Sequence, residues 1–261
     1  MIVTVTNQKG GVAKTTTAVS LAHGLAIRRP GLDHLLLDFD QQGHCATALG
    51  MRAESCLFDW LVSDAPRANC IRETGRDGLL LLPGDARTKH VDLIYRNERD
   101  GFDRLTNIIE GLPLDVVIDT PSDGLLQEAA ISVADWVIVP ARPESLSIAG
   151  VHDTLALCRR INPMARIVIL PVMYDKRVNE HAYNLGLLQE MAKRGGDTVS
   201  PPPTGSVVTA GAIPARIAVA EAHGRGKTIW EYEADGIVDA RAAYAALLDL
   251  LVPSESHEVQ P

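Results

Sequence analysis

Short apolar runs and helix-length stretches alternate along the whole chain. The runs at 2–6 (IVTVT), 35–38 (LLLD), 79–82 (LLLL), 116–119 (VVID), 136–139 (WVIV) and 167–170 (IVIL) are aliphatic or β-branched, and each ends in a polar or turn residue. They predict buried strands. Helical patterns fill the intervals at 15–26, 87–110, 125–134, 145–160 and 180–193. A last helix is predicted over 236–251, where Ile237, Tyr244, Leu247, Leu248 and Leu251 share one face. This alternation predicts crossover units and an α/β fold with a doubly wound, mostly parallel sheet flanked by helices. Residues 1–252 read as a single domain. Pro201, Pro202 and Pro203 read as a rigid surface loop within it, and the polar stretch 253–261 (PSESHEVQP) as a disordered tail.

In such a sheet ligands bind beyond the carboxyl ends of the strands. The polar residues that follow the predicted strands are Asn7 to Thr16 after the first, Asp38 and Asp40 at the second, and Asp119 at the fourth. All are predicted to converge on one edge. Composition adds few constraints. A chain of 261 residues, 46% hydrophobic and 22% charged, can bury a core without staples or metals. Cys45, Cys56, Cys70 and Cys158 form no C-x-x-C pair, so they read as small buried thiols in a reduced, cytoplasmic compartment rather than a zinc knuckle or disulfide framework. No signal peptide and no stretch of about 20 apolar residues is present.

The stretch KGGVAKTT at 9–16 departs from the strict phosphate-loop pattern, which requires glycine where this chain has Gln8 and Ala13. It still has the parts a phosphate cradle needs. Gly10 and Gly11 can make a tight turn into a helix N-terminus, Lys14 can reach terminal phosphates, and the Thr15 hydroxyl can hold Mg²⁺. Ala13 must either stay right-handed or accept mild strain, because its Cβ disfavours positive φ by roughly 1–2 kcal/mol. Taken singly, Lys9 would be an exposed loop lysine, and each aspartate a turn or cap residue.

The whole pattern resembles the deviant Walker A motif of the ParA/MinD family of P-loop ATPases. Further stretches resemble that family in order: LLLDFDQQGHCATALG its D-x-D-P-Q-G-N-A-T-x-x-L-G motif, LDVVIDTPSDG its Walker B region, and VIVPARPESLSIAGV and AIPARIAVAEAHGRGKTI two segments of ParA partition proteins. The resemblance implies that Gly10, Gly11, Val12, Ala13, Lys14, Thr15 and Thr16 cradle ATP, and that Lys9 reaches the partner's phosphates in an ATP-sandwich homodimer. It further implies that Asp40 orients the attacking water, that Thr15 and Asp119 serve Mg²⁺, and that Asp38 supports the metal indirectly. Met173 and Pro214 fall where the family builds its adenine pocket, although proline also simply starts helices. Gln41, His44 and Ser122 replace family residues at the rim without removing a group that the reaction needs.

The same resemblance implies weak, Mg²⁺-dependent ATP hydrolysis raised by a ParB-like or other activator, and a role in partitioning plasmid or chromosomal DNA. A close alternative is a carboxysome-distributing type that moves a protein cargo over the nucleoid. Net charge is −8, but residues 151–230 carry 10 Lys+Arg against 6 Asp+Glu. Within them Lys176, Arg177, Lys193, Arg194, Arg216, Arg225 and Lys227 are candidates for non-specific contact with DNA phosphates, as expected of a nucleoid-associated protein. The acidic EYEAD that follows weighs against DNA. A MinD-like membrane ATPase would need a basic amphipathic C-terminal helix, which LLVPSESHEVQP does not resemble. An iron-protein-like redox ATPase lacks the required cysteines, and a tyrosine-kinase relative lacks a tail tyrosine cluster. Because the chain begins at the first strand, no N-terminal DNA-reading domain is expected.

Overall fold

The computed structural model describes residues 1–52, 54, 56–193 and 204–253. Arg194, the three consecutive prolines and the tail from 254 lie outside the described residues. In chain order the elements are β1 (Ile2–Val5), α1 (Lys14–Arg28), β2 (His34–Asp38), α2 (His44–Ala48), α3 (Leu57–Val62), α4 (Arg67–Cys70), β3 (Arg72–Arg76) and β4 (Leu79–Leu82). There follow α5 (Thr88–Asn97), α6 (Gly101–Glu110), β5 (Asp115–Asp119), α7 (Leu125–Ser132), β6 (Trp136–Ala141) and α8 (Ser145–Ile161). The remainder is β7 (Arg166–Pro171), α9 (Asn179–Lys193), β8 (Val207–Thr209), α10 (Ile217–Gly224) and α11 (Ile237–Leu251).

Among the described residues the strands form one sheet of eight, ordered β3-β4-β2-β5-β1-β6-β7-β8, parallel except for β3. Side-chain alternation sorts each central strand between two faces. On β5, Val117 joins the core under α1 and α11, while Val116 and Ile118 join the opposite core with Leu105, Ile109 and Leu126. On β7, Val168 and Leu170 face the first core, while Ile167 and Ile169 pack with Val151, Leu157 and Leu188. Both faces are covered, which is why these strands read as continuous apolar runs.

Three expectations are corrected. The helix predicted over 87–110 is two helices, broken at 98–100: Gly101 packs so tightly that a β-carbon there would stand 1.9 Å from the Tyr95 carbonyl oxygen. Strand β3 was not visible as an apolar run because its sequence, RETGR, is polar; it pairs antiparallel to β4 through a turn at Asp77 and Gly78. Cys56 and Cys70 are not separate thiols but form a disulfide, since α3 and α4 fold the intervening segment back until their Cα atoms are 5.0 Å apart. Cys45 and Cys158 are free and buried, as expected.

Leu36 is fully buried on β2, in the middle of the sheet. Leu36→Ala is expected to cost about 2–5 kcal/mol of stability through lost transfer energy and the cavity left behind. Urea unfolding measures this, and a loss below about 1 kcal/mol would show that the site collapses around the gap.

Candidate functional site

The site follows from strand register. Asp119 at the end of β5 is the partner of Val5 on β1 and of Asp38 on β2. The loop leaving β1 and the carboxylates ending β2 and β5 therefore meet at one level, at the carboxyl edge that the sequence pattern predicts.

The loop is held from both ends. The Asn7 side chain donates to the Pro140 carbonyl at 2.8 Å, and its Oδ1 accepts from the Lys9 amide at 2.9 Å. The Gln8 amide donates to Thr154 Oγ1 on α8 at 3.2 Å. Gly11 takes φ 73°, and Ala13, at the mouth of α1, adopts the left-handed conformation with φ 60° and ψ 35°. Of the two possibilities open for Ala13, the chain takes the strained one. The α1 N-terminus then opens toward the loop with no side chain capping it, which leaves its amide donors to an anion.

Lys14 is buried, and its Nζ donates to the carbonyls of Asn7 and Lys9, both at 3.1 Å, and to Ser122 Oγ at 3.0 Å. Burial pulls its pKa below the ordinary lysine value, against the opposing pull of Asp119. Ser122, read from the sequence as a rim replacement, is thus a direct partner of the loop lysine. Lys9 lies with its stem against α8: a β-carbon at Gly150 would stand 3.0 Å from its Cγ and Cε. That shelf was not anticipated, and only the glycine in SIAGV could have signalled it.

The Thr15 hydroxyl donates to Asp119 Oδ2 at 2.6 Å. The other oxygen, Asp119 Oδ1, is buried with no hydrogen-bond partner. Burial raises the Asp119 pKa to about 7, opposed by the Thr15 hydrogen bond. Asp38 is fully buried; its Oδ1 accepts from the Asp40 amide at 3.0 Å and its Oδ2 from the Cys45 amide at 3.1 Å. Its pKa is pushed well up by burial and by the charge of Asp119. Asp40 is half-buried, and its Oδ1 accepts from the Gln42 amide at 2.9 Å. The backbone behind this turn is close: a β-carbon at Gly84 would stand 2.5 Å from the Asp38 carbonyl oxygen, so the loop after β4 must present glycine there.

Met173 and Pro214 do come together with the loop. They line a cavity of about 110 Å³ with Ala13, Thr16, Val219, Arg216 and Tyr244. The Tyr174 amide donates to the Ile213 carbonyl at 3.0 Å, and Ala215 donates back to Tyr174 at 2.8 Å, which zips the two segments together. The cationic candidates are more scattered. Arg216 pairs with Asp239 at 2.5 Å and Arg177 with Asp175 at 2.6 Å. Lys176, Lys193, Arg225 and Lys227 are exposed, with the Arg225 guanidinium 5.5 Å from the Tyr232 ring centroid.

A family model described as an AAA domain matches residues 1–168. The chromosome partitioning protein ParA of Caulobacter vibrioides is 30% identical over 246 residues, spanning 89% of this chain and 87% of its own. The sporulation initiation inhibitor protein Soj of Bacillus subtilis is 30% identical over 247 residues, with coverages of 89% and 91%. Among solved structures, apo McdA of Cyanothece shares the fold with a TM-score of 0.81 at 18% identity, covering 96% of this chain and 98% of that one. A plasmid partition protein of Borrelia burgdorferi bound to AMPPNP does so with a TM-score of 0.75 at 19% identity, covering 96% and 97%. The chain thus belongs to the ParA/MinD family of P-loop ATPases, with chromosome-partitioning ParA and Soj among its relatives.

Proposed function

We propose that this chain is a ParA-type ATPase that binds ATP and Mg²⁺ in the loop after β1, dimerises around two nucleotides, and in that state binds DNA non-specifically to partition or position it. The observation that carries the reading is the Lys14–Thr15–Asp119 arrangement at the carboxyl edge. Lys14 rests on two carbonyls and a hydroxyl, neutral acceptors that a phosphate group would replace with stronger, charged hydrogen bonds. The Thr15 hydroxyl and the unpartnered Asp119 Oδ1 fit a hard cation of the magnesium type. Bound there, Mg²⁺ supplies charge neutralisation of the nucleotide phosphates.

The other roles follow from position. Met173, Pro214 and Tyr244 give the adenine an apolar slot beside Ala13 and Thr16. Asp40, half-buried just beyond β2, orients the attacking water, and Asp38 fixes the turn that carries it through the Asp40 amide. Lys9 leaves its shelf on Gly150 and adds a second cation to the partner's phosphates, as an arginine finger does. Hydrolysis is slow until a ParB-like activator assists. Lys176, Lys193, Arg225 and Lys227 are the exposed cations for DNA, in a cytoplasmic, nucleoid-associated protein. A protein-cargo positioning ATPase would use the same site chemistry and differ in what it carries. A MinD-like membrane role is not favoured: α11 spends its apolar face on the core through Ile237, Tyr244, Leu247, Leu248 and Leu251. No helix among the described residues is long and apolar enough to cross a membrane.

Lys14→Ala is expected to lower turnover by at least about 10²-fold, since it removes the charge aimed at the phosphates. Phosphate release measures it, and unchanged turnover would refute the site. Asp40→Ala should bind ATP but not hydrolyse it, and so accumulate as a dimer; light scattering that shows only monomer at saturating ATP would contradict the water-orienting role. DNA binding should require ATP and fall steeply with salt, by roughly 0.9 log units of affinity per log unit of salt for each phosphate neutralised. Charge reversal at Lys193 and Arg225 together should abolish the gel shift, and retention of the shift would place the DNA surface elsewhere.

A further inference from the structure

One group at the site has no part in the reaction just described. Cys45 opens α2 in the second position, where the family pattern N-A-T carries alanine, and its thiol is fully buried. Its Sγ donates to Asp119 Oδ2 at 3.5 Å, while its own amide donates to Asp38 Oδ2. One ligand atom from each of Asp38, Cys45 and Asp119 lies within 4.8 Å of the other two. Among the described residues neither carboxylate makes an ion pair; Lys14, whose charge acts on Asp119, spends its hydrogen bonds on Asn7, Lys9 and Ser122. In addition, Asp119 Oδ1 is a buried carboxylate oxygen with no hydrogen-bond partner among the described residues.

We propose that Asp38, Cys45 and Asp119 form a site for a thiophilic divalent cation of the Zn²⁺ type in the nucleotide-free protein. Two oxygens and one sulfur are a mixed donor set that Mg²⁺ does not favour, because Mg²⁺ takes hard oxygen ligands in octahedral geometry, whereas Zn²⁺ accepts thiolate and carboxylate together in fours. Three protein ligands leave one position open, the pattern of zinc sites that exchange a ligand. On binding, one sulfur–metal and two oxygen–metal bonds form, the thiol proton and any proton carried by the two carboxyl groups leave to solvent, and no electron changes hands. The cation relieves the repulsion of two adjacent buried carboxylates, which alanine at position 45 would leave to Mg²⁺ alone. Because it occupies Asp119, it opposes Mg²⁺–nucleotide binding, a consequence that rests on the proposed ATP site, whereas the metal site itself does not.

The test is a titration of the nucleotide-free protein with Cd²⁺, followed by the ultraviolet thiolate-to-cadmium charge-transfer band. One equivalent of Cd²⁺ should develop a band that Cys158→Ala keeps and Cys45→Ala loses, with both variants melting cooperatively. Asp119→Asn, which leaves the thiol in place, should weaken binding by more than the ~10-fold typical of changes around a metal's ligands. Absence of the band in the parent chain, its survival in Cys45→Ala, or its loss in Cys158→Ala overturns the proposal. Addition of Mg²⁺ with a non-hydrolysable ATP analogue should raise the Cd²⁺ concentration needed by at least about tenfold. A band that forms but is indifferent to the analogue overturns the antagonism and leaves the metal site standing; direct binding of the same analogue in the absence of Cd²⁺ tells whether the ATP reading has failed instead.

Discussion

Asp119 sits in register with Val5 on one side and Asp38 on the other, and most of the site depends on that alignment. Parallel strands end together only when their pairing is fixed, and a slip of one residue would turn every apolar side chain to the wrong face. Here both faces of β5 are buried, Val117 in one close-packed core and Val116 and Ile118 in another, so a slip would force each side chain into a space shaped for a different one. The same packing that stabilises the sheet therefore brings the phosphate loop and two carboxylates to one point.

That convergence is electrostatically costly. Two buried carboxylates lie at adjacent strand ends, and burial, with the charge of Asp119 acting on Asp38 and that of Asp40 on Asp119, favours the protonated forms. The fold offsets the cost with hydrogen bonds rather than with an ion pair: two backbone amides for Asp38, a hydroxyl and a thiol for Asp119. One Asp119 oxygen is still left without a partner. A site balanced in this way is ready for a cation, and Lys14, buried nearby and held by neutral oxygens, is ready for an anion. On the proposed reading, the two halves of a magnesium nucleotide answer these two groups.

Much of this was legible in the sequence because the central strands are unbroken apolar runs whose ends carry the polar residues. What was not legible depended on contacts between distant segments. The polar RETGR becomes a strand only because β4 offers an edge to pair with, and the break before Gly101 is set by the Tyr95 carbonyl beside it. Cys56 and Cys70 are separated by 14 residues with no spacing motif, and only the fold-back of α3 and α4 joins them. Ser122 looked like a replacement at the rim until Lys14, 108 residues earlier, reached it. Cys45 read as a small hydrophobe by burial, which is true, but what surrounds it is two carboxylates.

Ala13 shows how a local penalty is absorbed. Its left-handed backbone costs roughly 1–2 kcal/mol relative to a right-handed one, a cost that glycine would avoid. The carbonyl it presents accepts the Thr17 amide at 3.0 Å, so the strained residue closes the first turn of α1. Its methyl packs against the core under α11 and lines the cavity with Pro214 and Tyr244. Its methyl is only half-buried, so it contributes part of the roughly 0.8 kcal/mol that a fully buried methylene gives. This offsets part of the strain. The missing glycine of the strict pattern therefore leaves a residual cost in stability, and what it adds is a methyl in the wall of the cavity that Met173 and Pro214 also line.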